Sequence, residues 1–275
     1  MLISFSLGLF TVAALLLSRL LSMFSTNIKA PFEFLSGFKN YPELAIGSLF
    51  FSIAVWVDKW IMWLAPEATH SISGFSYFNA YDTAMFLAGL AGIPVLGLFI
   101  LTIETGFYEK CLAYHSAILE HCPLETIEPL RKDLVSHTLR SMRSYLVLQG
   151  SITALLIFYA PRLFEALSFK FQDLGMFRFA LFGNFCLMLI IFVTILLSYF
   201  DARRSVCAIQ TCFLVLNAFC TYYSLHFGHN YYGYGFFIAT AVSAALGIAL
   251  IAKTLDQLPY HTFILNNKRK FSTDN

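Results

Sequence analysis

Charged side chains are scarce in this chain. They account for 12% of its 275 residues, while 58% are hydrophobic; a soluble domain carries about 25% charged and 45–50% apolar residues. With a mean hydropathy of +0.69, this balance excludes an ordinary soluble protein and points to a polytopic membrane protein. The net charge of +2 is too small for a nucleic-acid binder, and no basic array interleaved with aromatics is present. Nucleotide and hydrolytic signatures are missing too: there is no GxxxxGKS/T, no HExxH and no GxSxG. ATP hydrolysis and hydrolytic chemistry of those types are therefore not expected, and neither is an enzyme. The six cysteines, Cys111, Cys122, Cys186, Cys207, Cys212 and Cys220, form no CxxC pair. Most lie in or beside apolar runs, so free, buried thiols are expected rather than a disulfide framework. No metal and no cofactor is implied.

Long apolar runs are what the chain has instead. Seven of them, near 2–22, 42–64, 83–104, 145–167, 177–199, 205–226 and 232–253, approach the ~20 residues needed to cross a ~30 Å hydrocarbon core. They lack the alternation of barrel strands, so helices are required to satisfy the backbone in lipid. The first run is longer than a signal-peptide core and has no basic region before it, which reads as a spanning helix. The expected fold class is an all-α membrane protein of about seven transmembrane helices, one extra helix followed by a six-helix unit. That pattern looks like the second half of a larger two-lobed protein.

Basic residues orient the chain. With the amino terminus outside, the inside segments collect Arg19, Lys29, Lys39, Lys110, Arg131, Lys132, Arg140, Arg143, Arg203, Arg204, Lys253, Lys268, Arg269 and Lys270. Only Arg162, Lys170 and Arg178 lie in or beside an outside loop, and Lys59 lies within a helix. A multi-pass inner-membrane protein with an outer amino terminus and a cytoplasmic tail follows. The divisions are 1–23, a helix ending a missing first lobe; 24–41, a cytoplasmic linker; 42–255, a six-helix lobe; and 256–275, a cytoplasmic tail. In the linker Pro31 and Pro42 break helices, while Phe32, Phe34 and Phe38 suit the interface beside Lys29 and Lys39.

Segment 105–144 is the sizeable aqueous portion and reads as two helices separated near Pro123, which suits the first turn of the second. There Leu124, Ile127, Leu130, Leu134 and Leu139 form an apolar stripe. Glu125, Glu128 and Asp133 precede Arg140 and Arg143, complementing the helix dipole. The stripe packs on the chain's own cytoplasmic ends or docks a cytoplasmic partner.

The stretch "VWVDKWIMWL" sets Asp58 and Lys59 among all three tryptophans. An ionisable group at mid-membrane costs about 2.5–3.5 kcal/mol on insertion scales and marks a functional site by default. Counting along the run puts Asp58 ~7 Å outward of its midpoint. Adjacent residues point about 100° apart, so Asp58 and Lys59 are not expected to pair with each other; Lys59 is expected to reach for the outer surface. Trp56, Trp60 and Trp63 lie within about 40° of one another, with Asp58 almost opposite. Three readings stand open. Asp58 pairs with a cation from another helix, Arg178 being the candidate by depth; or it lines a cavity that holds a cationic substrate or a proton. In the third, the tryptophans form an aromatic glycan surface. Asp82 and Glu104 bracket the third crossing, where Pro94, Gly89, Gly92 and Gly97 allow a bend or close packing. His226 and His229 form HxxH, a weak metal signal without further ligands; an interfacial tyrosine belt is the better reading of their surroundings.

Two stretches carry a family resemblance. "LAIGSLFFSIAVWVDKWIMWLAP" and "YFNAYDTAMFLAGLAGIPVLGLFILTIETGFYEKCLAYHSAI" resemble the second half of the PelG family, inner-membrane transporters of the Pel exopolysaccharide system. Its landmarks here are Asp58-Lys59, Tyr81-Asp82 and Ile103-Glu104-Thr105, and the resemblance covers about 40–265. It implies a flippase-like fold of the multidrug and oligosaccharidyl-lipid exporter superfamily, with two six-helix lobes around a cavity. It also implies export of an amino-sugar polymer in biofilm formation, together with the glycosyltransferase PelF, with PelD and PelE, and with a missing amino-terminal lobe. Asp58, Lys59, Asp82 and Glu104 are the candidate substrate-path or buried-charge residues. Membrane lipid and the polysaccharide are the other expected partners. The alternatives are another flippase or antiporter half of the same superfamily, or a non-transporting membrane scaffold for a glycosyltransferase.

Overall fold

The computed structural model describes residues 2–23, 35–71, 74, 76–102 and 106–257. These form ten α-helices: α1 (Leu2–Met23), α2 (Leu35–Asn40), α3 (Pro42–Met62), α4 (Asn79–Leu90), α5 (Ile93–Thr102), α6 (Tyr108–Leu119), α7 (Leu124–Ala166), α8 (Leu174–Tyr199), α9 (Arg203–Leu225) and α10 (Tyr234–Asp256). Two-residue strands β1 (Thr69–His70) and β2 (Ser76–Tyr77) pair antiparallel between α3 and α4. Seven helical segments are long and apolar enough to cross a membrane. The chain is an all-α membrane protein of seven spans. It divides into two compact units, Met1–Pro42 and Glu43–Asn275; α1 belongs to the first, and the other six spans belong to the second. The landmark Ile103-Glu104-Thr105 and most of the linker lie outside the described residues.

The third crossing is broken where a single helix was expected. It starts earlier, at Asn79, and divides into α4 and α5 across Ala91–Gly92. Pro94 is the reason: it has no N–H to continue the ladder and suits the first turn of a new helix. Gly92 faces α8 here: a Cβ there would lie 2.8 Å from Met188 Cε, so the flexible methionine side chain would have to move. Gly89 and Gly97 face open space, so close packing explains Gly92 alone of the three.

The two helices expected before and within the fourth crossing, beyond Pro123, are one helix. α7 runs unbroken for 43 residues, about 65 Å at 1.5 Å per residue and twice the hydrocarbon thickness. Pro123, with ψ 152°, stands just before it. Its apolar stripe is narrower than the sequence implied. Ile127 and Leu134 are buried and Leu130 half-buried, while Leu124 and Leu139 are exposed. Leu139 is rotated about 140° from Leu134, so the buried seam continues instead through Thr138, Ser141 and Tyr145.

Within the six-span unit α10 packs most extensively on α8 and α9. Small residues permit it, as is general where helices meet without a hydrophobic driving force. A Cβ on Gly235 would lie 2.5 Å from the backbone N and Cα of Thr221 in α9, and one on Gly183 would lie 2.4 Å from Phe236 Cδ1. The six cysteines are free thiols, and burial pushes the Cys111 thiol up.

Gly235→Ala is expected to force α10 off α9 and cost about 1–3 kcal/mol, read as a lower unfolding temperature in detergent. Gly175→Ala, in α8 with open space around it, is the control and is expected to leave the protein unchanged or slightly more stable.

Candidate functional site

Two side-chain ties fasten α3 to α4. Asp58 is fully buried, and Tyr81, also fully buried, donates its hydroxyl to Asp58 Oδ2 at 3.0 Å. Just beyond α3, the Trp63 indole N–H donates to the Asp82 carboxylate at 3.0 and 3.3 Å. A third tie comes from α9, where Asn217 Nδ2 donates to the Ala54 carbonyl at 2.8 Å and Thr221 in turn donates to Asn217 Oδ1.

The expectation that Asp58 and Lys59 do not pair is overturned. Lys59 Nζ lies 3.3 Å from both Asp58 oxygens and 2.9 Å from the Val55 carbonyl. The 100° between the two Cα–Cβ directions is real, but four methylenes let the ammonium fold back across it. Lys59 therefore turns back one helical turn instead of extending towards the far end of α3, and it passes 5.8 Å from the Trp56 ring. The pairing removes a net charge that burial would otherwise make costly. Arg178, the cation expected to meet Asp58, does not; its Nε is buried without a partner among the described residues. The tryptophans divide as well. Trp56 and Trp60 are about half exposed, opposite the buried Asp58 as their spacing implied, whereas Trp63 is half-buried and holds Asp82.

Beyond the clasp lies a cavity of about 470 Å³. The two are joined by rings, Phe78 stacking on Tyr81 at 6.5 Å. The cavity opens among β1, the start of α4, the α7–α8 loop and the turn before α10. Phe78, Phe164 and Phe169 give it apolar walls. Glu67 and Asp173 put carboxylates on it, each anchored from the turn that leads into α10. Tyr232 donates to Glu67 Oε2 at 2.8 Å, and His229 Nε2 meets Asp173 Oδ1 at 2.9 Å. His226 does not join His229 at a metal site; it packs on Tyr222 and Tyr223, and among the described residues no group is placed to hold a metal ion.

A family model covers the residues of the clasp and the cavity. The model described as PelG, "Putative exopolysaccharide Exporter (EPS-E)", matches residues 1–263. The chain belongs to the PelG family. No curated protein and no solved structure matches it.

The PelG match extends over α1, beyond the 40–265 on which the landmarks rested. The two PelG landmarks that are described, Asp58-Lys59 and Tyr81-Asp82, meet in the α3–α4 clasp, where Tyr81 bonds Asp58 and Trp63 bonds Asp82. Glu104 lies outside the described residues. Sequence reasoning missed Glu67 and Asp173, lone acids in connecting segments with no spacing to mark them. It also passed over Gln149, Thr153 and Asn184, buried groups on α7 and α8 that carry polar atoms without hydrogen-bond partners among the described residues.

Asp58→Ala is expected to destabilise the protein by about 3–5 kcal/mol, because it strands Lys59 and Tyr81. The double variant Asp58→Asn/Lys59→Met keeps an acceptor for Tyr81 and removes the orphaned cation, so it should recover most of that loss. Thermal unfolding in detergent micelles compares the two, and equal losses would show that the pair is not the stabilising element.

Proposed function

We propose that this chain is a component of an inner-membrane exporter that moves an amino-sugar exopolysaccharide out of the cytoplasm as a cytoplasmic glycosyltransferase extends it. The family match over residues 1–263 carries this reading, and seven apolar helices support a multi-pass membrane component. On this reading the chain transports and does not catalyse. The basic residues of segments 105–144 and 200–204 orient it with the α3–α4 connection and the cavity outside the cytoplasm, and with α6 and the first half of α7 inside.

The inside surface suits a partner enzyme. The ion pair Lys110–Asp133 ties α6 to α7, and Arg131–Glu128 lies along α7 itself. Leu112, Leu119 and Leu124 are exposed on these same two helices, an apolar surface that supports docking of a glycosyltransferase of the PelF kind, with PelD and PelE completing the assembly. The buried, neutralised Asp58–Lys59 pair supports a structural role for this charge, with polymer contacts left to the cavity-lining groups.

In cells that make the polymer, removing this chain is expected to abolish extracellular polysaccharide while polymerisation products remain inside. Restoring the chain should restore export, and undiminished secretion in its absence would sink the reading. Leu119→Glu with Leu124→Glu should reduce co-purification of the glycosyltransferase by about tenfold or more, the scale on which charges disrupt an apolar docking surface.

A further inference from the structure

We infer that the cavity between the start of α4 and the α7–α8 loop is a subsite for a pyranose segment that is neutral or amino-bearing, and that it rejects acidic sugars. This rests on the export reading and adds to it a place on the chain where the polymer is held and a preference for its charge.

Its volume of about 470 Å³ falls within the range of small-ligand sites, roughly 300–1,000 Å³, and its make-up is theirs: apolar walls with a few directed polar groups. A pyranose presents the same division, a C–H face and a rim of hydroxyls. Phe169 supplies a wall for that face. Its ring packs edge-on against Phe164 at 5.5 Å, and the preceding Ser168 has a φ of 56°, uncommon for a residue with a side chain.

The carboxylates supply acceptors. Asp173 is 8% exposed, and burying a carboxylate is costly unless it is paired. His229 engages only Oδ1, and Tyr232 engages only Oε2 of Glu67. The second oxygen of each takes no hydrogen bond from the described residues, leaving it to accept from a sugar hydroxyl or ammonium. Lys170 and Gln172, from the same loop, are donors on the opposite side of the balance. Two carboxylates against one lysine, with His229 already turned to Asp173, make the cavity unfavourable for a uronate. Specificity of this kind comes from repulsion as much as from contact.

The test uses the full chain in lipid nanodiscs and saturation-transfer NMR with three probes: a chitosan tetramer, N-acetylchitotetraose and tetragalacturonate. The first two are expected to bind and the third not. Asp173→Asn and Glu67→Gln should each weaken the chitosan tetramer by about tenfold, the scale of one hydrogen bond to a charged group, with less effect on the acetylated probe. Phe169→Ala should weaken both. Glu67→Gln keeps an acceptor for Tyr232 and so guards against a loss that is merely unfolding. Equal binding of tetragalacturonate, or affinities that none of the three substitutions moves, would overturn the subsite. Export that continues in cells carrying Glu67→Gln and Phe169→Ala together would overturn its role in export and leave the export reading intact.

Discussion

The seating of α10 against its two neighbours is the constraint on which the rest of the six-span unit depends. Gly233 adopts φ 93° at the helix start, and a Cβ there would lie 3.2 Å from the Met176 carbonyl of α8. Two residues on, Gly235 meets the backbone of Thr221 in α9. Gly235 leaves no room for a side chain, and the φ of Gly233 disfavours one, so the two glycines seat the start of α10 closely on its neighbours. That position delivers Tyr232 to Glu67 and His229 to Asp173, and with them the walls of the cavity. A packing rule between helices thereby becomes the geometry of a site.

The buried charge follows a different logic. In lipid or protein interior an isolated carboxylate is not tolerated, and Asp58 is satisfied by its own neighbour and by Tyr81 on the next helix. Tyr81 then stacks on Phe78, whose ring meets Tyr232 and His229 edge-on. The clasp and the cavity are consecutive parts of one aromatic and polar layer. Its members come from α3, α4, the α7–α8 loop and the turn before α10, which explains why the layer sits where α3 ends and α4 begins.

Particular residues show how much was legible in advance. Trp56, Trp60 and Asp58 were placed on opposite sides of α3 from spacing alone, because 3.6 residues per turn is a property of the backbone. Pro123 announced the start of α7 because an N–H is unpaired at a helix start anyway, so proline loses nothing there. Lys59 departs from its expected course because Cα–Cβ directions do not bind a lysine ammonium, which sits far enough from its own Cβ to ignore them. Leu139 was assigned to a stripe on spacing that only loosely fits, and the structure exposes it. The bond from Tyr232 to Glu67 joins residues 165 apart in sequence, and no local pattern points to it.

Composition and run length determined that this is a seven-span helical membrane protein, since a backbone in lipid has few other ways to satisfy its N–H and C=O groups. The motif around Asp58-Lys59 and Tyr81-Asp82 was enough to suggest the PelG family. Only the tertiary structure decided what those residues do. The bonds from Tyr81 to Asp58 and from Tyr232 to Glu67, and the shape of the cavity, arise where separate segments meet, and those meetings are set by how closely particular side chains let two backbones approach.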